Sequence, residues 1–107
     1  MDIDATFFAL ADPTRRAILA QLAKGEKSVM ELAEPFAMTQ PAISKHLRVL
    51  ERAGLISRGR EAQRRPARLE PQAIAAATGW LEDFRKVLER NYERLDGVLD
   101  EMKRRRP

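Results

Sequence analysis

Gln40, Ser44, Lys45 and Arg48 follow one another at steps of four, one and three residues, which on a helix gathers an amide, a hydroxyl, an ammonium and a guanidinium along one side. These groups recognise rather than react. Gln pairs bidentately with adenine and Ser serves either base type; Lys and Arg suit guanine, or clamp phosphate. Reactive constellations are not visible elsewhere. The chain has one histidine, His46, and no cysteine, so there is no thiolate nucleophile, no disulfide and no imidazole pair to hold a metal. His46 lies among the four groups above, and two readings stay open for it: a phosphate contact or a partly packed helix residue. Acidic side chains late in the chain alternate with Arg85, Lys86, Arg90 and Arg94, the pattern of a solvated helix face rather than an acid/base pair. There is no glycine-rich phosphate loop. No catalytic residue, cofactor or metal site is expected.

The elements that hold these groups are legible from caps and periodicity. Residues 28–54 read as two short helices joined by a tight turn, a helix-turn-helix. Ser28 with Glu31 forms a capping box for the first, whose apolar residues Val29, Leu32, Ala33 and Phe36 face a core, and Pro35 ends it early. Thr39 caps the second, Pro41 is tolerated in its first turn, and Gly54 stops it. Ile43, Leu47 and Leu50 form its packing stripe, opposite the polar set. Upstream, Ile3, Phe7, Phe8, Leu10 and Ala11 make a short amphipathic helix. Asp12 and Pro13 then start another that runs to Lys24, with Ala17, Ile18, Leu22 and Leu19 as its packing stripe, and reaches Gly25 where a left-handed residue is wanted.

After Gly54 the period changes. Segments 55–60 and 64–69 are short extended runs that predict a solvent-exposed hairpin, with Pro66 at an edge or bulge because it cannot donate to a ladder. Arg58, Arg60, Arg64, Arg65 and Arg68 cover it. A solvated charged loop would account for the arginines, but their place directly after a helix-turn-helix favours a wing over residues 55–69, lying against phosphate or minor groove.

Residues 71–104 return to a helical pattern, with Ile74, Ala77, Leu81, Phe84, Leu88, Leu95, Val98 and Met102 in register, Tyr92 and Leu99 beside them, Trp80 on a flank and Asn91 as the one polar step. Gly79 is a point where the segment could bend or divide. The first part, Ile74 to Leu81, can pack within the chain. The rest exceeds what so small a core covers and is expected to meet a copy of itself, with Phe7, Leu81, Phe84, Leu88, Tyr92, Leu95 and Leu99 at the interface. The basic run at 103–106 suits a helix C-terminus.

Composition agrees with a small binder of nucleic acid. The 107 residues carry a formal net charge of +4, yet residues 40–68 hold eight Lys/Arg against two Asp/Glu, which is +6 and leaves −2 for the remainder. The acidic opening Met1-Asp2-Ile3-Asp4 does not read as a signal peptide, and no apolar run is long enough for a membrane span. A cytoplasmic location, away from membranes, is expected.

The residues resemble the ArsR/SmtB winged-helix repressors across nearly the whole chain. The likeness is carried by Ala9-Leu-Ala-Asp-Pro-Thr-Arg-Arg-Ala-Ile-Leu19, Glu31-Leu-Ala33, Thr39-Gln-Pro-Ala-Ile-Ser-Lys-His-Leu-Arg-Val-Leu50 and Ala53-Gly-Leu-Ile56. Ala62-Gln-Arg-Arg-Pro66 and Trp80-Leu-Glu-Asp-Phe-Arg85 look like the cysteine-poor subgroup without the sensory metal ligands. The resemblance implies a homodimer with its first and last helices at the interface, bound to an imperfect palindrome in its own or a neighbouring promoter. Two departures stand out. Glu31-Leu-Ala-Glu-Pro-Phe36 replaces the cysteine-bearing helix of metal sensors, and the wing has Pro66, Ala67 and Arg68 where a tyrosine is frequent.

The reading that results is a mainly α fold with a small β-hairpin: one winged helix-turn-helix domain over residues 1–107, comprising a helix-turn-helix (28–54), a wing (55–69) and a dimerisation helix (71–104). It predicts a homodimeric, non-enzymatic repressor on double-stranded DNA. Gln40 and Ser44 are its base readers, Lys45, His46 and Arg48 lie beside them, and Thr39 touches the backbone as well as capping. Arg58, Arg60, Arg64 and Arg65 supply affinity. Two other classes remain open: a winged helix that docks an acidic protein, and a repressor gated by an unknown small molecule in the dimer groove, with Phe7, Phe8, Trp80 and Phe84 as liners.

Overall fold

The computed structural model describes residues 2–60 and 65–105. In chain order the elements are α1 (Ile3–Leu10), α2 (Pro13–Leu22), α3 (Val29–Ala33), a 3-10 turn (Glu34–Phe36), α4 (Gln40–Arg52), strands β1 (Ile56–Arg58) and β2 (Ala67–Leu69), and α5 (Pro71–Arg104). They form two compact units, Met1–Ala77 and Thr78–Pro107. No helix among the described residues is long and apolar enough to cross a membrane.

Helices α1 to α4 each begin where a side chain takes up amides that the first turn leaves without a carbonyl partner. Asp2 accepts from the amides of Asp4 and Ala5, Asp12 from Arg15 at 2.9 Å, and Thr39 from Ala42 at 3.3 Å. Ser28 and Glu31 complete a reciprocal capping box. Helix α4 stops in a Schellman arrangement: Gly54 takes a φ of +74°, its amide donates to Glu51 O, and Leu55 N donates to Leu50 O.

The first unit packs around α4, which contacts α1, α2, α3 and β1. Ile43, Leu47 and Leu50 are fully buried. Burial of three such side chains stabilises the unit by about 5–9 kcal/mol, at roughly 1.5–3 kcal/mol each. Ile18, Leu22, Leu32, Leu55 and Ile56 close the core, and Ala73 and Ala77 bring the start of α5 into the same unit.

Several details differ from the sequence expectation. Helix α1 turns Thr6 and Ala9 inward, while Phe8 and Ala11 are exposed and Phe7 is half-buried. Small residues allow close helix approach, and the Thr6 hydroxyl is satisfied by the Asp2 carbonyl. Helix α2 ends at Leu22 rather than Lys24, because the chain tightens into three-residue turns at Lys24 and Gly25 and then extends so that Lys27 can pair with Ala67. Gly25 does take a positive φ, +134°. Phe36 packs on the core from the 3-10 turn, which follows a helix ended by Pro35. On α5, Ile74 is exposed and Ala73 is buried in its place, and the helix runs unbroken through Gly79.

The hairpin is antiparallel, with Ile56 opposite Leu69, Ser57 opposite Arg68 and Arg58 opposite Ala67. Its strands are three residues each, shorter than the expected runs, and its base is not solvent-exposed: Ile56 and Ala67 are both buried. Lys27 adds a third backbone rung, giving and receiving hydrogen bonds with Ala67 at 3.0 and 2.7 Å. Pro66 sits just before β2, where it needs no donor, and its carbonyl accepts from Gly59 at 2.8 Å.

Candidate nucleic-acid interface

Because α4 buries Ile43, Leu47 and Leu50, helical geometry puts its other side outward. Thr39, Gln40, Lys45 and Arg48 are exposed, and Ser44 is half-buried between them. Lys45 and Arg48 occupy the face away from the buried stripe, Ser44 lies at its edge, and Gln40 is exposed because it opens the helix. Thr39 spends its Oγ1 on the Ala42 amide, so its capping role is seen directly.

His46 is the member of the set that turns away. It is half-buried, with Nδ1 4.0 Å from the Asp12 carboxylate at the start of α2. Asp12 is held below the usual carboxylate pKa. The Arg15 amide is the main cause; partial burial opposes it, and the charges of Arg15 and His46 reinforce it. Asp12 was legible as a cap, but nothing local in the sequence showed that the recognition helix would lie against it.

The wing arginines divide by environment. Arg60 and Arg65 are exposed, and Arg65 adopts a φ of +35°, a left-handed value for a non-glycine residue. Arg58 is half-buried and its Nε donates to the Arg65 carbonyl at 3.0 Å. Burial, then the neighbouring Arg65 charge, lowers its pKa. A guanidinium titrates so high that it stays charged, and part of its donor capacity already serves the hairpin. Arg68, on the opposite face of the ribbon, donates to Ser57 Oγ at 3.2 Å, and that hydroxyl donates to Glu70 at 2.6 Å. Arg64, with Glu61, Ala62 and Gln63, lies outside the described residues.

In the second unit Leu81, Phe84, Leu88, Tyr92, Leu95, Leu99 and Met102 are all exposed, from 38% for Leu88 to 64% for Tyr92. Trp80 stacks on Phe84 with ring centres 5.3 Å apart. Among the described residues no group of three or more His, Asp or Glu is placed to hold a metal ion.

Residues 12–58, from the α2 cap to the end of β1, match the bacterial regulatory protein arsR family. HTH-type transcriptional regulator Rv2034 of Mycobacterium tuberculosis is 42% identical over 81 residues, 76% of each chain. The chain belongs to the arsR family.

Transcriptional repressor SdpR of Bacillus subtilis is 36% identical over 78 residues, covering 73% of this chain and 87% of that protein. Among solved structures, the ArsR family transcriptional regulator RHA00566 superposes with a TM-score of 0.76 at 38% identity, over 80% of this chain and 89% of its own. The homodimeric winged helix-turn-helix domain of Mb0332 from Mycobacterium bovis does so with 0.64 at 27% identity, over 78% of each chain. This arsR-family chain is therefore a winged helix-turn-helix DNA-binding transcription regulator, not an enzyme. Regulators of its kind bind DNA and are often homodimers. The family match ends at β1, so α5, with its exposed apolar stripe, lies beyond the matched segment.

Proposed function

We propose that this regulator is a homodimeric repressor that occupies an imperfect palindrome in its own or a neighbouring promoter, and so works in the cytoplasm. The observation that carries the reading is the division of α4: one side supplies the centre of the core, while the opposite side presents Lys45 and Arg48 and the open first turns leave Gln40 and Ser44 accessible beside them. A helix held this firmly can enter a major groove without rearranging. Gln40 and Ser44 read base edges, Lys45 and Arg48 read guanine or hold phosphate, and Thr39 touches the backbone while capping. Arg60, Arg64 and Arg65 give sequence-independent affinity, with Arg58 bracing the wing as it contributes charge. Residues 3–11 and the stripe from Leu81 to Met102, with Phe7, join the two copies. SdpR, a named repressor, and Mb0332, a named homodimer, support this. No observation favours a protein-docking role or a small-molecule effector over it.

The test is to incubate the purified protein with sheared DNA from its own genome, sequence the retained fragments, and titrate the enriched site at several salt concentrations. A shared two-fold motif upstream of the gene or a neighbour, with affinity that falls steeply with salt, is the expected result. Retention without a common motif would refute sequence-specific repression.

A further inference from the structure

Arg65 stands in an unfavourable place for a residue with a side chain. Its φ is +35°, a left-handed value that crowds the Cβ of any residue but glycine, and the proline at 66 favours an extended residue before it. Contacts from outside the residue must therefore hold it. Two come from the other side of the hairpin: Nε of the half-buried Arg58 donates to the Arg65 carbonyl at 3.0 Å, and the Gly59 amide donates to the Pro66 carbonyl at 2.8 Å. Gly59 also makes room for the turn, because a Cβ there would come within 2.9 Å of Pro66 Cδ and 3.0 Å of Pro66 Cγ. Arg65 itself is exposed. The Nε–H of one wing arginine is thus spent on the peptide that carries the other.

We propose that Arg58 is a positioning residue for DNA binding: it acts through Arg65, holding the Arg65–Pro66 peptide in its left-handed turn so that the Arg65 guanidinium is set for a backbone phosphate before DNA arrives. This rests on the reading of the wing as a source of sequence-independent affinity, and it gives the two arginines different parts. Arg65 touches phosphate. Arg58 fixes the backbone from which Arg65 projects, so that little of the electrostatic gain is lost to ordering the turn on binding. An arginine that merely added charge would be replaceable by lysine. One that works through its Nε is not, because lysine has a methylene at that position along the side chain.

The test is the salt dependence of DNA binding in Arg58→Lys. The variant keeps the formal charge, so a purely electrostatic or purely structural role leaves the slope of log affinity against log salt unchanged. The expected result is instead the loss of one phosphate contact on operator and random DNA alike. The slope should fall in magnitude by about 1, which shrinks the affinity change between about 50 and 200 mM salt roughly three- to fourfold. Arg65→Ala should show the same fall. Arg58→Lys/Arg65→Gly should match Arg65→Gly alone, because glycine takes a positive φ unaided and leaves no cation to place. Gly59→Ala removes neither charge nor donor but drives Pro66 from its place, and it should reproduce the lowered slope even if Arg58→Lys fails to fold. A wild-type slope in a folded Arg58→Lys or in Gly59→Ala would overturn the proposal and leave the wing reading intact. So would a further loss when Arg58→Lys is added to Arg65→Gly. A wild-type slope in Arg65→Ala would instead refute the phosphate-contacting wing, and the proposal with it.

Discussion

Replacing Arg15 by alanine should destabilise the protein by about 2–3 kcal/mol although the residue is only half-buried. From the first turn of α2 its side chain reaches back to the end of α1, where Nε donates to Ala9 O at 2.7 Å and Nη2 to Phe8 O at 2.9 Å, with the guanidinium 5.3 Å from the centre of the Phe8 ring. A helix C-terminus leaves its last carbonyls unpaired and carries partial negative charge, so a forked cation there caps and neutralises at once. Charge-assisted bonds are worth about 1.5–3 kcal/mol when dry; partial exposure reduces each to about 1. The ring contact adds about 0.5–1 kcal/mol. At about 4–8 °C per kcal/mol for a domain of this size, the melting temperature should fall by roughly 10–20 °C. Arg15→Lys keeps the charge but not the fork and should recover only the dipole contribution, about 0.3–1 kcal/mol. Urea unfolding followed by circular dichroism, at one fixed protomer concentration because dimer stability depends on it, measures both. If Arg15→Ala costs less than about 0.5 kcal/mol, or Arg15→Lys matches the wild type, the fork contributes nothing and the reasoning fails.

On DNA, Gln40→Ala should cost about 1–3 kcal/mol on the operator and much less on random sequence, measured by titrating both. Arg60→Ala should weaken the two nearly equally and lower the slope of log affinity against log salt by about 1; a changed base preference with an unchanged slope would make the wing a reader. The Asp12 pKa is depressed in the folded state, so its stabilisation is fully present above its unfolded value and is lost as pH falls through the folded one. Asp12→Asn should therefore flatten the acid side of the stability curve below about pH 4, and an unaltered acid limb would contradict this. Zinc, cadmium, arsenite and copper should leave operator affinity unaltered, because soft ions want thiolates and this chain has none; release of DNA by a stoichiometric metal complex would contradict this.

Capping and periodicity carried most of the fold. Asp12, Ser28, Thr39 and Gly54 are local signals read within four residues, and each sits where the structure uses it. The buried stripe of α4 was legible for the same reason. What escaped was set by contacts distant in sequence. Nothing around Lys27 marks it as a partner for Ala67, and nothing in α1 says that Thr6 and Ala9, rather than its phenylalanines, face inward. Ile74 and Ala73 differ by one position, and which of them is buried depends on how α5 enters the core, not on its own pattern. In the candidate site, outward placement of Lys45 and Arg48 followed from periodicity, whereas Gln40, three residues before Ile43 and seven before Leu47, is exposed because it opens the helix. The turn of His46 toward Asp12 did not, because it depends on where α2 begins in space.

The rung between Lys27 and Ala67 matters for how the two halves of the DNA surface act together. Lys27 immediately precedes Ser28, the cap of α3, and Ala67 opens the second strand of the wing. Their paired backbone bonds therefore tie the entrance of the helix-turn-helix to the base of the wing, while Leu55 and Ile56 tie β1 to the end of α4 through the core. Both strands of the hairpin are thus anchored to the first unit. A wing attached by a flexible hinge would have to be ordered on binding and would lose part of its electrostatic gain to that ordering. On the proposed roles, strands anchored in this way let Arg60 and Arg65 add affinity at little entropic cost, without diluting the discrimination proposed for Gln40 and Ser44.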